Sequence, residues 1–206
     1  MQSPLLFGGP IRTILQIATL CILALIVVPS VQAADSLYQT VDPATDCKTL
    51  SIADEEGGSA SFLCKGPDDI PFIEDHGDLR SSVTYGISEE QGERVWQSFS
   101  PFNQPSETIE WRYGDRDDQP IATIRRWSVE TGSGEGEQDW SILVVSRVAQ
   151  DGQGACTTGY VDARRTDNVN VIARLIADAG AKNFRCWEDV PIYQPDDEEL
   201  RGIVSR

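Results

Sequence analysis

The sequence predicts a single α+β domain in which one long helix packs on an antiparallel β-meander that two disulfides stabilise. Three observations predict it. Apolar runs alternate with Gly- and Asp-rich turns through the middle of the chain. A later segment repeats apolar residues at helical spacing. An even number of cysteines remains once a predicted leader is removed.

Residues 1–33 have the layout of a secretory signal peptide. A weakly basic start with Arg12 precedes the apolar run Ile14 to Val28, and Ala33 ends a small-residue cleavage site. An uncleaved membrane anchor is disfavoured, because the apolar run is shorter than the roughly 20 residues that a bilayer requires. Cleavage predicts a periplasmic or secreted protein with no stable membrane anchor.

Cys21 leaves with the signal peptide, so the mature chain keeps four cysteines: Cys47, Cys64, Cys156 and Cys186. An even count in an oxidising compartment predicts two disulfides. Four cysteines allow three pairings, of which proximity in sequence favours Cys47 with Cys64 and Cys156 with Cys186. A four-thiolate zinc site is disfavoured, because no close C-x-x-C pair is present. We predict no metal and no cofactor.

The mature chain is long enough for one domain with a core, which we expect to span residues 34–187. Residues 188–206 are predicted to form an acidic, mobile tail. A first hairpin is expected from Cys47–Ile52 and Ser59–Lys65. The segment Gly66–Asp78 is predicted to be a surface loop, because prolines and aspartates are frequent in it.

Six further strands are expected along the chain. The clearest is Ile109–Tyr113, in which Ile109 and Trp111 alternate with charged residues and should face inward. Trp140–Val148 is apolar on both faces, which is typical of a central strand. The others are Val83–Ile87, Val95–Phe99, Ile121–Val129 and Ala155–Val161.

A helix is predicted to begin after Thr166 or Asp167, to run to Ala179 and to stop at a left-handed Gly180. Asn170, Arg174 and Asp178 form a narrow polar stripe, so the rest of the helix should be mostly buried. A short strand, Asn183–Trp187, is expected to follow.

The chain is acidic, and the loss of Arg12 changes its net charge from −16 to −17. Nucleic acid is therefore an unsuitable partner. Scattered carboxylates are typical of a surface that keeps an exported protein soluble, and the alternative is a cationic partner protein.

His76, the one histidine, is the residue on which a catalytic triad would depend. Its Asp- and Gly-rich surroundings favour a solvent-exposed loop residue. The spacing Gly132-x-Gly134-x-Gly136 indicates a hairpin connection, and Asp115-x-Asp117-Asp118 a polar turn in preference to a calcium site. We predict no catalytic residues.

Arginine pairs and tryptophans are the remaining candidates for ligand binding. Arg125–Arg126 and Arg164–Arg165 could bind an anion, although pairing with carboxylates is favoured. The five tryptophans could form a carbohydrate platform, but most lie in predicted strands, and Trp96 is the one expected to be exposed. They are Trp96, Trp111, Trp127, Trp140 and Trp187.

The segment Gly159-Tyr160-Val161-Asp162-Ala163 is followed by Asn168, Asn170, Ala173-Arg174, Ala177-Asp178, Phe184 and Cys186. This pattern resembles uncharacterised exported proteins of Gram-negative bacteria. The resemblance covers the last third of the mature chain and implies no activity and no functional residues.

The scarcity of catalytic side chains favours a non-enzymatic exported protein that acts by binding a partner. One alternative is an inhibitor of a cationic enzyme that attacks the cell envelope, such as lysozyme. The other is a carboxylate-dependent hydrolase of cell-wall sugars, because paired carboxylates perform that chemistry.

The signal-peptide assignment predicts that the mature protein begins at Ala34 or Asp35, because Ala33 satisfies the small-residue rule for cleavage. Intact-mass measurement on the native protein checks this. Retention of residues 1–33 would contradict it.

Overall fold

The computed structural model describes residues 35–53, 58–88, 94–114, 118–130, 139–150 and 154–205, so the predicted signal peptide lies outside the described residues. No helix within these ranges is long and apolar enough to cross a membrane. The ranges contain three α-helices and twelve strands. The helices are α1 (Pro43–Asp46), α2 (Val169–Gly180) and α3 (Glu198–Ile203). The strands are β1 (Ser36–Thr40), β2 (Lys48–Ala53), β3 (Ser59–Lys65), β4 (Pro71–Gly77), β5 (Arg80–Tyr85), β6 (Ser98–Phe99), β7 (Asn103–Tyr113), β8 (Pro120–Val129), β9 (Trp140–Arg147), β10 (Cys156–Asp162), β11 (Ile192–Gln194) and β12 (Val204–Ser205).

The larger sheet has the strand order β1-β7-β8-β9-β10-β11. Its strands β7 to β10 follow one another as antiparallel neighbours, which confirms the predicted meander. β9 is buried on both faces, as predicted for a central strand. The predicted strand at Val95–Phe99 is reduced to β6, which pairs with β12.

A second antiparallel sheet has the order β2-β3-β4-β5. The predicted first hairpin corresponds to β2 and β3, but the prediction of a surface loop over Gly66–Asp78 was wrong. β4 lies within that segment and pairs with both β3 and β5. Asp75 and Glu74 are typical of a loop when the sequence is considered alone. In the structure they pair with Arg94 and Arg125, which lie 19 and 51 residues away in sequence.

The two sheets pack face to face, and Ile109 and Trp111 of β7 are fully buried between them, as predicted. Phe72 and Tyr85 of the second sheet contact the Trp111 ring, with centroids 5.9 and 5.6 Å away. These contacts build one of the three hydrophobic clusters of the described residues.

α2 covers the opposite face of the larger sheet, where Ala173, Ile176 and Ala177 are buried against β8, β9 and β10. The helix is less buried than predicted, since Val171 and Leu175 are exposed. Its ends also differ from the prediction. The N-cap is Asn168, whose side chain makes no capping bond, and Gly180 is not left-handed.

The polar stripe of α2 faces β7. Arg174 donates to Glu110 at 2.6 Å, and Asp178 accepts two hydrogen bonds from Arg112, at 2.9 and 2.6 Å. Glu110 and Arg112 are buried although they are charged, because α2 covers them and supplies their partners.

Both predicted disulfides are present, Cys47–Cys64 and Cys156–Cys186. Cys64 and Cys156 are buried, so each bond ties a core strand to a more exposed segment. The first bond joins Cys47, the residue before β2, to β3.

The C-terminal residues differ from the expected mobile tail, and no strand forms at Asn183–Trp187. β11 instead pairs in parallel with β10, where Tyr193 stacks on Tyr160 with centroids 5.3 Å apart. Leu200 of α3 is fully buried in a cluster with Phe99 and Trp127. Aromatic and leucine side chains anchor this acidic segment.

Two substitutions test the orientation of α2. Ile176→Asp should lower the free energy of unfolding by about 3 kcal/mol or more, because it places an unpaired charge in the core. Leu175→Asp should have little effect, since Leu175 is 62% exposed. Equal losses in chemical denaturation would contradict this orientation.

Candidate ligand-binding groove

A charged pair lies buried between the two sheets. Arg125 of β8 donates to Glu74 of β4 over 2.5 Å, and both side chains are 2% exposed. Burial by itself would raise the pKa of Glu74, but the hydrogen bond from His76 and the charge of Arg125 outweigh it and lower that pKa. Glu74 is therefore an ionised carboxylate that links the sheets.

His76 extends this pair toward the surface. Its Nε2 lies 3.1 Å from Glu74 Oε1, and its Nδ1 lies 3.0 Å from Ser81 Oγ. The arrangement follows from strand geometry, because residues two apart share a face and Ser81 lies directly opposite His76 on β5. The predicted loop position of His76 was wrong: it lies in β4, with its side chain 35% exposed.

Three clefts share lining residues, and we call them together the polar groove. The Trp96 cleft is about 300 Å³, the His76 cleft about 340 Å³ and the Arg126 cleft about 360 Å³. His76 lines the first two, and the last two share Gln104, Ser128 and Asp139. Most of the lining side chains are polar.

The wall of the Trp96 cleft is held by a cluster of hydrogen bonds around Asp75. Ser61 Oγ donates to Asp75 Oδ1 at 2.6 Å, and Arg94 Nη1 reaches Asp75 Oδ1 at 2.9 Å and Ser61 Oγ at 3.0 Å. Gln97 fixes the other side of the Trp96 segment, because its backbone N–H donates to Ser82 and its side chain accepts from the backbone of Thr157.

Ser81, His76 and Glu74 have the residue types of a catalytic triad, which acts together with an oxyanion hole. Ser81 is 2% exposed, and its backbone N–H donates to Asn103 Oδ1. The Asn103 side-chain amide donates in turn to the carbonyls of Phe99 and Pro101. These donors are therefore engaged and do not form an oxyanion hole. The described geometry fits a rigid hydrogen-bonded wall.

The predicted arginine pairs are engaged with protein groups. Arg125 binds Glu74, and Arg126 donates to Ser141 Oγ at 2.6 Å on the other face of β8. Arg164 and Arg165 both bind the buried Asp162. Burial opposes ionisation of Asp162, but the hydrogen bonds from both arginines lower its pKa. Three of the four arginines are therefore paired with carboxylates, and Arg126 is bonded to a serine hydroxyl.

The tryptophans divide into two groups. Trp111, Trp127 and Trp140 are core residues, whereas Trp96 is 41% and Trp187 51% exposed. Trp96 was predicted to be exposed, but Trp187 was placed in a strand that does not form.

The glycines at 132–136 and two of the three aspartates of the predicted turn, Asp115 and Asp117, lie outside the described residues. Among the residues that the structure describes, no group of three or more metal-ligating side chains occurs.

Sequence reasoning missed Ser81, Arg94, Asn103 and Gln104 as residues of the site. The weak signal for Ser81 was its position across a short turn from His76. Arg94 and Asn103 had no local signal, because their roles arise from contacts between strands that are distant in sequence.

Comparison with protein-family models, curated proteins and solved structures finds no significant match for this chain.

Replacing Glu74 by Gln tests the buried pair. Glu74→Gln leaves Arg125 without a counter-charge, so the free energy of unfolding should fall by about 3 kcal/mol near neutral pH. Because folding lowers the pKa of Glu74, this stabilisation is complete above the usual carboxyl pKa and is lost as the pH falls through the lowered value.

Urea denaturation of both proteins from pH 7 to pH 3 measures the difference. Asp69→Asn, which removes an exposed ion pair with Lys65, is the control and should have little effect at any pH. The role of the pair would be refuted if Glu74→Gln lowered the free energy of unfolding only slightly at pH 7, or if the loss grew toward acid pH.

Proposed function

We propose that this chain is an exported, non-enzymatic protein that binds a ligand in the polar groove. Two disulfides are typical of proteins outside the cytoplasm, and the pattern of residues 1–33 is that of a secretory signal. Both support a periplasmic or secreted location.

The observation that carries the proposal is a set of three clefts that share lining residues. Each has a volume at the lower end of the range for small-molecule sites. Their polar walls are already fixed by hydrogen bonds, so little side-chain entropy would be lost when a ligand binds.

A non-enzymatic role is supported by the pairing of two carboxylates. Glu74, which is buried beside the groove, and Asp75, which lines the Trp96 cleft, are each paired with an arginine. A general acid for sugar hydrolysis would need a raised pKa, whereas that of Glu74 is lowered. These pairings disfavour Glu74 and Asp75 as the two carboxylates of a hydrolase.

A cationic enzyme such as lysozyme is the second candidate for the partner, and the net charge of the chain favours it. The sequence has 33 acidic residues against 17 lysines and arginines, which gives a net charge of −16. An inhibitor that acts through this charge should bind more weakly at high salt, because the Debye length falls from about 10 Å at 0.1 M to about 3 Å at 1 M.

Obstruction of the groove tests the proposal. Ser128 lines both the His76 and Arg126 clefts, so Ser128→Arg should fill the shared space and abolish capture of the ligand by immobilised protein from a Gram-negative envelope extract. Ser100→Arg adds the same charge at an exposed residue outside the cleft linings and should retain capture. Identical capture by both variants, or no captured component, would contradict the proposal.

An activity assay tests the non-enzymatic role and the inhibitor alternative together. The purified protein should release no fragments from cell-wall substrate, and such release would make it a hydrolase. Added lysozyme should keep its activity at low and high salt. Inhibition that appears only at low salt, and exceeds that of an unrelated protein of similar charge, would favour the inhibitor.

A further inference from the structure

The Trp96 cleft has a composition of its own within the groove. We propose that it is a saccharide-binding subsite, in which a sugar ring stacks on Trp96 and its hydroxyls bond to Asp75 and Arg94. The inference rests on the proposed binding function and names the class of its ligand.

Trp96 supplies an apolar platform at an exposed position. Its side chain lines the cleft and is 41% exposed, whereas the tryptophans of β7, β8 and β9 are buried. The C–H face of a pyranose ring is apolar and matches the flat face of an indole. The segment that carries Trp96 is fixed on both sides, by Arg94 through Asp75 and by Gln97 through Thr157.

The polar side chains match the hydroxyl groups of a sugar. Asp75 is an acceptor whose carboxylate is held in place by Ser61 and Arg94, and its side chain is still 22% exposed. Arg94 uses Nη1 for these contacts and carries further N–H donors on a side chain that is 35% exposed. A fixed acceptor beside a fixed donor can bind two neighbouring hydroxyls at little entropic cost.

The charge of the cleft favours a neutral, polyhydroxylated ligand. Asp75 and Arg94 neutralise each other, and Ser51, Ser59 and Ser61 contribute uncharged hydroxyls. The net charge of −16 disfavours phosphate and nucleic acid. Of the lining residues, Ala60, Val95 and Trp96 are apolar, which is too few for a hydrophobic ligand.

A second cleft neighbours the Trp96 cleft. His76 lines both, so sugars beyond the first ring can gain contacts there. We therefore expect oligosaccharides to bind more tightly than the corresponding monosaccharides.

Isothermal titration with chitohexaose and with cellohexaose, as a glucosamine-based and a glucose-based probe, tests the inference. At least one should bind the oxidised, mature protein. Trp96→Ala should raise its Kd about tenfold or more, which corresponds to 1.4 kcal/mol. Trp187→Ala, which removes an exposed tryptophan outside the groove lining, should leave Kd within about twofold. Asp75→Asn should weaken binding while melting temperatures confirm that each variant is folded.

Three outcomes would overturn the saccharide subsite. The first is that neither probe binds, and the second is that Trp96→Ala and Trp187→Ala raise Kd equally. The third is that hexalysine, a cationic peptide, binds in a Trp96-dependent way and the sugars do not. The first and third leave the groove proposal intact if Ser128→Arg still abolishes ligand capture, so the failure of the subsite and the failure of the groove are distinguishable.

Discussion

The buried ion pair between Glu74 and Arg125 is the interaction on which the arrangement of the two sheets depends. Each charge comes from a different sheet, and neither is exposed to water that could replace the other. Such a pair contributes less net stability than apolar packing of the same volume, but loss of one partner is costly. We infer that it favours one alignment of the sheets over others. Through His76 and Ser81 the same alignment fixes the wall of the polar groove.

Sequence patterns within short segments correctly predicted individual strands and the disulfide pairing. Strand alternation identified β7 and its inward face, the apolar content of β9 identified a central strand, and cysteine spacing favoured the correct disulfides. β4 was mistaken for a loop because the partner of Glu74 lies 51 residues away. For the same reason the sequence did not show that the polar stripe of α2 faces β7, because Glu110 of β7 is 64 residues from Arg174.

The candidate site was less predictable than the fold. His76 and Trp96 attracted interest because a lone histidine and an exposed tryptophan are recognisable in a sequence. Arg94 and Asn103 hold the residues around them through hydrogen bonds to Asp75 and Ser81. Nothing in the sequence marks these two polar residues, because the bonds form only in the folded protein. The groove is lined by residues of several strands and of the segment around Trp96. Such a groove produces no local signal in the sequence, so it could be found only in three dimensions.

The side-chain NMR signals of His76 test the central claim most directly, because the chain has one histidine. The ionised Glu74 carboxylate can only accept, so the Nε2–H of His76 must donate to it. We predict a slowly exchanging Nε2–H proton, whose slow exchange is lost in Glu74→Gln. An Nε2 that carries no proton, or one whose proton exchanges as rapidly as in a free side chain, would contradict the account.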